Sequence, residues 1–361
     1  MKRYYFIVGE ASGDLHAANL IKELSALDTG ATFQGFGGER MQKEGFELTK
    51  HYQEMAFMGF WEVLMNLSDI RKNFKLAKKE LLEYKPDVLI LVDYPGFNMR
   101  IAKFAKKHNI KVVYYITPQV WAWKESRVKN LKRDVDLLLP ILPFERTFFA
   151  KHGIDVNYVG HPLLDTFKDL DSRNIESEKP IIAILPGSRK QEIATSLPIM
   201  IEVAKSFENY QFIIAGAPSI SQDFYRHITQ DSYIPVLSNQ THALLKESKA
   251  AIVISGTATL EAAILKVPQV VCYKTSLISY YLAKLVVRVK FIALVNLICN
   301  KEVVKELIQD DFNADNLLNE LNRILNKKNK TQILSDYDNL IRLLGDVGAS
   351  KRAADAINSL H

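Results

Sequence analysis

Four short loops of this sequence gather residue types that bind phosphate or move protons. The first, Gly9-Glu10-Ala11-Ser12-Gly13-Asp14-Leu15-His16, follows an apolar run. Its glycines permit positive φ and its small residues admit a ligand closely, while Glu10, Asp14 and His16 supply three titratable groups. It lacks the third glycine of G-x-G-x-x-G and the acid expected after the next strand, which disfavours a dinucleotide site. An ordinary turn with Ser12 or Asp14 capping a helix is the plain alternative. The second loop is Asp93-Tyr94-Pro95-Gly96-Phe97-Asn98, where a carboxylate ends a strand run and a sharp turn follows. A general base fits that place, because partial burial lifts a carboxylate toward the working pH. A turn-forming aspartate is the competing reading, and Glu10, Asp14 and His16 remain rivals for the base.

The other two loops lie in the second half. Pro186-Gly187-Ser188-Arg189 stands between strand and helix, so backbone N–H groups and the positive helix end converge where a diphosphate would sit, and Arg189 adds a charged fork. Ser255-Gly256-Thr257-Ala258-Thr259 repeats the arrangement, with Glu261 on the helical face of Thr257. Its amides and hydroxyls can hold phosphate, and Glu261 can accept hydrogen bonds from a ribose diol. Helix capping or a surface arginine explains either loop singly and two together less readily. Two D-x-D pairs could suggest a divalent cation. Asp134-Val135-Asp136 opens a strand, at the wrong edge of a parallel sheet, and Asp169-Leu170-Asp171 falls in a polar linker. No metal and no other cofactor is expected.

These loops need strands and helices to carry them. Apolar runs at Tyr4–Val8, Asp87–Asp93, Lys111–Ile116, Asp136–Leu139 and Val156–Val159 alternate with helical patterns near Gly13–Ser25, Asn98–His108, Lys124–Arg133 and Glu145–His152. A stretch without apolar period, Asp165–Lys179, then separates a second alternation. Its strands are Ile181–Leu185, Gln211–Ala215, Ala250–Ile254 and Gln269–Tyr273, and its helices lie near Lys190–Phe207, Thr241–Glu247 and Thr257–Lys266. The rhythm predicts an α/β protein of two Rossmann-like domains, over 1–168 and 175–345, whose parallel sheets face a central cleft. A last helical pattern, Ser350–Leu360, caps one of them.

Composition agrees. A chain of 361 residues with 48% hydrophobic and 24% charged content is globular and long enough for two cores. Cys272 and Cys299 form neither a disulfide framework nor a zinc motif, which points to a reducing compartment. The apolar run after Met1-Lys2-Arg3 is too short for a signal-peptide core. The net charge of +6 asks for an anionic partner. From Arg100 to Arg133 ten basic residues meet one acid, Glu125. That stretch reads as a solvated face or an anionic membrane contact, with no nucleic-acid signature beside it. The segment Met58–Leu67 carries Phe60, Trp61, Val63, Leu64 and Leu67 on nearly every side, as either a membrane patch or a helix buried between domains. Leu277–Cys299 is apolar too, but Lys284, Arg288 and Lys290 argue against a membrane span, and Asn296 is expected near the cleft.

Six motifs, in order, resemble the lipid-A-disaccharide synthase family: Gly9-Glu10-Ala11-Ser12-Gly13-Asp14, Pro118-Gln119-Val120-Trp121-Ala122-Trp123, Leu142-Pro143-Phe144-Glu145, Val159-Gly160-His161-Pro162, Leu185-Pro186-Gly187-Ser188-Arg189 and Ser255-Gly256-Thr257-Ala258-Thr259-Leu260-Glu261. They span nearly the whole chain. The resemblance implies a GT-B fold with a UDP-sugar donor on the second domain, the acceptor on the first, and residues 346–361 packed back on the first. It implies transfer of 2,3-diacylglucosamine from UDP to 2,3-diacylglucosamine 1-phosphate (lipid X), with inversion and release of UDP. Asp93 would then be the base, Arg189 a donor-phosphate contact, Glu261 the ribose contact and Asn296 a further active-site residue. Gly187, Ser188, Ser255, Gly256, Thr257 and Thr259 would line the donor, and Ser12, Gly13, His16 and Gln119 the acceptor side. Gly96 stands where relatives often carry a second acid, which removes a rival base, and Val295 stands where proline is common before Asn296. The expected location is cytoplasmic and peripheral on the anionic inner membrane surface. No nucleic acid is expected as partner, and a homodimer stays open. Another GT-B enzyme, such as a UDP-sugar epimerase, and a non-catalytic nucleotide- or membrane-binding module are the alternatives.

Overall fold

The structure, a computed structural model, describes residues 1–55, 67–167, 174–230, 234–287 and 289–360. The chain divides into two compact units, Met1–Asp165 with Asp346–His361, and Thr166–Gly345.

The first unit is built on strands β1 (Arg3–Val8), β2 (Thr32–Gly37), β3 (Glu47–His51), β4 (Val88–Val92), β5 (Lys111–Tyr115) and β6 (Leu137–Leu139). They form one parallel sheet in the order β3-β2-β1-β4-β5-β6. Tyr4, Phe6 and Val8 of β1 pack into one core and Tyr5 and Ile7 into another, so both faces of the strand are covered. That is why its sequence is apolar throughout rather than alternating. Ala17, Leu20, Ile21 and Leu24 of the helix Ala11–Leu27 fill the first core together with Ala353, Ala354 and Ile357 of the C-terminal helix Ala349–Asn358. Each fully buried leucine or isoleucine contributes about 1.5–3 kcal/mol there. Asp165 fixes the C-terminal helix by accepting from the Gly348 and Ser350 N–H groups at 2.5 and 2.8 Å.

The second unit repeats the plan. Strands β7 (Ile181–Leu185), β8 (Gln211–Gly216), β9 (Val236–Ser238), β10 (Ser248–Ile254), β11 (Gln269–Tyr273) and β12 (Glu306–Ile308) pair in parallel in the order β12-β11-β10-β7-β8-β9. The α/β class with two Rossmann-like sheets, and hence the GT-B type, is as expected.

Two details differ from the sequence expectations. Val156–Val159 is extended but belongs to no sheet. Val156 and Val159 enter opposite cores, and the Val159 carbonyl accepts from Arg352 Nε at 2.8 Å instead of from a strand. The helix expected over Lys124–Arg133 is a helix Val120–Trp123, a 3-10 turn Glu125–Arg127 and a helix Val128–Asp134. The apolar stretch Leu277–Cys299 breaks into helices Leu277–Val286 and Leu294–Cys299, and among the described residues no helix is long and apolar enough to cross a membrane. Phe60, Trp61, Val63 and Leu64 lie outside the described residues, whereas Leu67 opens the helix Leu67–Tyr84.

Candidate active site

In an open parallel sheet, ligands bind beyond the carboxyl ends of the two neighbouring strands whose connections leave in opposite directions. In the first unit those strands are β1 and β4, with Val8 opposite Val92. The next residues are Gly9-Glu10 on one side and Asp93 on the other, so two of the singled-out loops meet at the switch point.

Asp93 and Tyr94 both hold left-handed backbone angles, φ 45° and 48°. Non-glycine residues hold this conformation only when their surroundings enforce it. Buried Asn98 provides that: its Nδ2 donates to the Asp93 carbonyl at 2.8 Å and also to those of Val92 and Ile7 at 3.2 and 3.3 Å. Tyr114 adds a hydroxyl donor to the Asp93 carbonyl at 2.6 Å, and the Asp93 N–H reaches Ile116 at 3.2 Å. The elbow is thus held largely through its main chain, while the Asp93 carboxyl accepts from the Tyr94 N–H. Burial, with the neighbouring Glu10 charge second, lifts that carboxyl from 3.8 to about 7. The Ser12 hydroxyl donates to Glu10.

The remaining first-unit candidates divide. Asp14 is buried and accepts from the Arg40 and Met41 N–H groups at 3.1 and 3.3 Å, capping the short helix Glu39–Lys43. Burial raises its pKa even so. Gly13 is enclosed in the helix Ala11–Leu27. His16, also buried, is held neutral with its pKa lowered to about 4 by burial, near Asp165. Gln119 is exposed on the loop after β5, the strand beside β4. Sequence reasoning did not single out Glu145 for any role, yet this buried carboxylate organises that loop. It accepts from Thr117 Oγ1 at 2.9 Å, Trp121 Nε1 at 3.1 Å, and the Ile141 and Leu142 N–H groups at 3.1 and 2.9 Å. The signal was its place at the third position of the helix Pro143–Lys151, behind a proline.

In the second unit the switch point falls between β7 and β10, with Leu185 opposite Val253. The glycine-serine-arginine loop and the serine-threonine loop therefore stand side by side. Gly187 has φ +101°, and a Cβ there would lie 2.8 Å from Glu192 Oε2 and 3.6 Å from Ile254. Only glycine fits comfortably. Ser188 and Arg189 are exposed, and Arg189 Nη1 pairs with Glu192 at 2.8 Å. Gly256 and Thr257 are exposed, Ser255 donates to the Ile292 carbonyl at 3.2 Å, and buried Thr259 donates to that of Gly256 at 2.8 Å. Glu261 lies 3.3 Å from His242 Nε2, with the Phe167 ring 4.8 Å from the histidine ring.

Asn296 behaves differently from the expectation of a substrate contact. Its Nδ2 donates to the Val304 carbonyl and to Glu306 Oε1, both at 2.8 Å, and its Oδ1 accepts from Val303 and Val304 N–H at 2.8 and 3.0 Å. That is the full capacity of a carboxamide. The D-x-D pair in the first unit is likewise occupied: Asp134 pairs with Arg133, and Asp136 with Lys106 and the Val112 N–H. Among the described residues no group of three or more His, Cys, Asp or Glu converges in a manner suited to a metal.

Comparison with known proteins agrees with this layout. The Neisseria meningitidis UDP-GlcNAc 2-epimerase bound to UDP-GlcNAc superposes with a TM-score of 0.68 at 14% identity, covering 99% of both chains, which speaks for the fold alone. Two lipid-A-disaccharide synthases are much nearer in sequence. That of Trichlorobacter lovleyi is 37% identical over 99% of this chain and 97% of its own. That of Geobacter sulfurreducens is 38% identical over 90% and 88%. The profile described as lipid-A-disaccharide synthetase matches residues 4–359. With both switch-point loops in place and relatives this similar from end to end, the chain belongs to the lipid-A-disaccharide synthase family of glycosyltransferases.

Proposed function

We propose that this protein transfers 2,3-diacylglucosamine from UDP to the 6-hydroxyl of lipid X, with inversion at the anomeric carbon and without a metal ion, giving a β-1,6 disaccharide and UDP. The observation that carries the reading is Asp93, a carboxylate whose main chain is pinned at a switch point and whose pKa stands at about 7. Direct displacement needs a base at the attacking hydroxyl and donors at the departing diphosphate. Asp93 in the first unit is the base of this proposal. Glu10 keeps it basic, and Asp14, Gly13 and His16 shape the loop behind it rather than touch substrate. Gln119 and Ser12 face the acceptor.

The amides of Gly187 and Ser188, the Arg189 guanidinium and the Ser255–Thr259 loop hold the diphosphate in the second unit, and Glu261 takes the ribose. Asn296 acts one step back, through Glu306 and the Ile292–Ala293 backbone on which Ser255 rests. Acyl-chain substrates stay in the bilayer, so the enzyme works as a peripheral protein on an anionic membrane surface.

Incubating radiolabelled UDP-diacylglucosamine with lipid X tests the assignment. Disaccharide plus UDP from the wild type, and loss of turnover with retained UDP affinity in Asp93→Asn, are the expected results. Wild-type rates in that variant would remove Asp93 from the mechanism, and an epimerised donor without disaccharide would replace the transferase with an epimerase.

A further inference from the structure

The helix Leu277–Val286 of the second unit turns large apolar side chains into solvent. Leu277, Tyr281 and Leu285 are 60%, 61% and 83% exposed. Four residues apart, they form one stripe along the helix. Lys284 falls on the same stripe, with its ammonium 5.8 Å from the centre of the Tyr280 ring. Lys290, past the helix end, lies 5.1 Å from the Phe291 ring. From Tyr273 to Lys301 the sequence contains no acidic residue at all. The combination of apolar stripe, aromatic ring and basic residues is that of a helix lying in a membrane interface, with lysine stems along the apolar surface and ammonium groups at headgroup level. A protein partner fits less well, because three side chains fall far short of the roughly 800 Å² that each partner of a stable interface buries.

We propose that the helix Leu277–Val286 is a membrane contact of the second unit, placing Leu277, Tyr281 and Leu285 among the acyl chains of a bilayer while Lys284 and Lys290 pair with anionic headgroups. The inference deepens the peripheral-membrane part of the function proposed above, and rests on it only for the presence of a bilayer. The residues that carry it are separate from the Phe60–Leu67 segment. The second unit, which is the one assigned to the donor, thereby gains its own hold on the surface from which an acylated nucleotide sugar must be taken.

Flotation of the full-length protein with phosphatidylethanolamine vesicles, with and without phosphatidylglycerol, tests the proposal. The triple variant Leu277→Gln, Tyr281→Gln, Leu285→Gln keeps helix propensity and touches no core, so its thermal melt should match the wild type. Its partition onto either vesicle should fall by at least about a hundredfold. Lys284→Gln with Lys290→Gln should lower partition by about fivefold per lysine on anionic vesicles only. The single variant Leu285→Gln, at the most exposed position, gives the same direction if the triple variant proves hard to fold. Equal flotation of wild type and triple variant overturns this proposal while leaving the peripheral reading to Phe60–Leu67. A wild type that floats with neither vesicle overturns both. Unchanged flotation together with a drop from dimer to monomer in sedimentation equilibrium would overturn it in favour of a second copy of the chain.

Discussion

Asp93→Asn should make the protein more stable as well as inactive, and the gain should depend on pH. The folded state holds the Asp93 carboxyl at about 7, against 3.8 for the free group. A group raised in this way contributes its stability in full below pH 3.8, and that stability is lost as pH rises toward 7. At 1.36 kcal/mol per pH unit the loss approaches about 4 kcal/mol by pH 8 and is under half of that at pH 5. Asparagine carries no such penalty, tolerates the left-handed angle at least as well, and leaves the hydrogen bonds to the Asp93 carbonyl in place. The stability difference between variant and wild type should therefore widen by about 2–3 kcal/mol between pH 5 and pH 8. Urea unfolding read by tryptophan fluorescence isolates the effect, since Trp61, Trp121 and Trp123 all fall in the first unit. A difference that is the same at both pH values, or a variant weaker than wild type at pH 8, would refute the reasoning.

Other perturbations separate contact from scaffold. Gly187→Ala places a Cβ 2.8 Å from Glu192 Oε2 in a left-handed turn, and should weaken UDP binding at least about tenfold in calorimetry while lowering the melting temperature by only a few degrees. Asn296→Ala strands the Val303 and Val304 N–H groups and should cost the second unit about 2–4 kcal/mol, read by circular dichroism because that unit has no tryptophan. Glu145→Gln presents an amide to the Ile141 and Leu142 N–H groups and should cost about 2–4 kcal/mol, with a shift in Trp121 emission.

The central strands were readable because both their faces are buried, which leaves unbroken apolar runs such as Tyr4–Val8 and Ile181–Leu185. The strands that escaped notice, β2, β3, β9 and β12, are short, polar or rich in glycine, as with Thr32–Gly37 and Glu47–His51, and three of them are edges. Each of these edge strands pairs on one side only, with the strand just before it in the chain, and is partly exposed, so it leaves no unbroken apolar run for a local pattern to record. The loops after β1, β4, β7 and β10 could be picked out by residue type, but their adjacency follows from strand order. For Asn296 the resemblance gave importance without the cause, since a saturated carboxamide and a ligand contact look identical as letters.

The return of the Ala349–Asn358 helix to the first unit has a consequence for synthesis. A ribosome delivers Thr166–Gly345 in full before it delivers Ala353, Ala354 and Ile357, which complete the core under β1. The domain begun first is therefore finished last, and a nascent chain must wait with an open apolar face beside Tyr4 and Phe6 until its final helix arrives. A stop codon or bulky tag near residue 346 would thus injure the amino-terminal half, far away in sequence, and spare the half next to it.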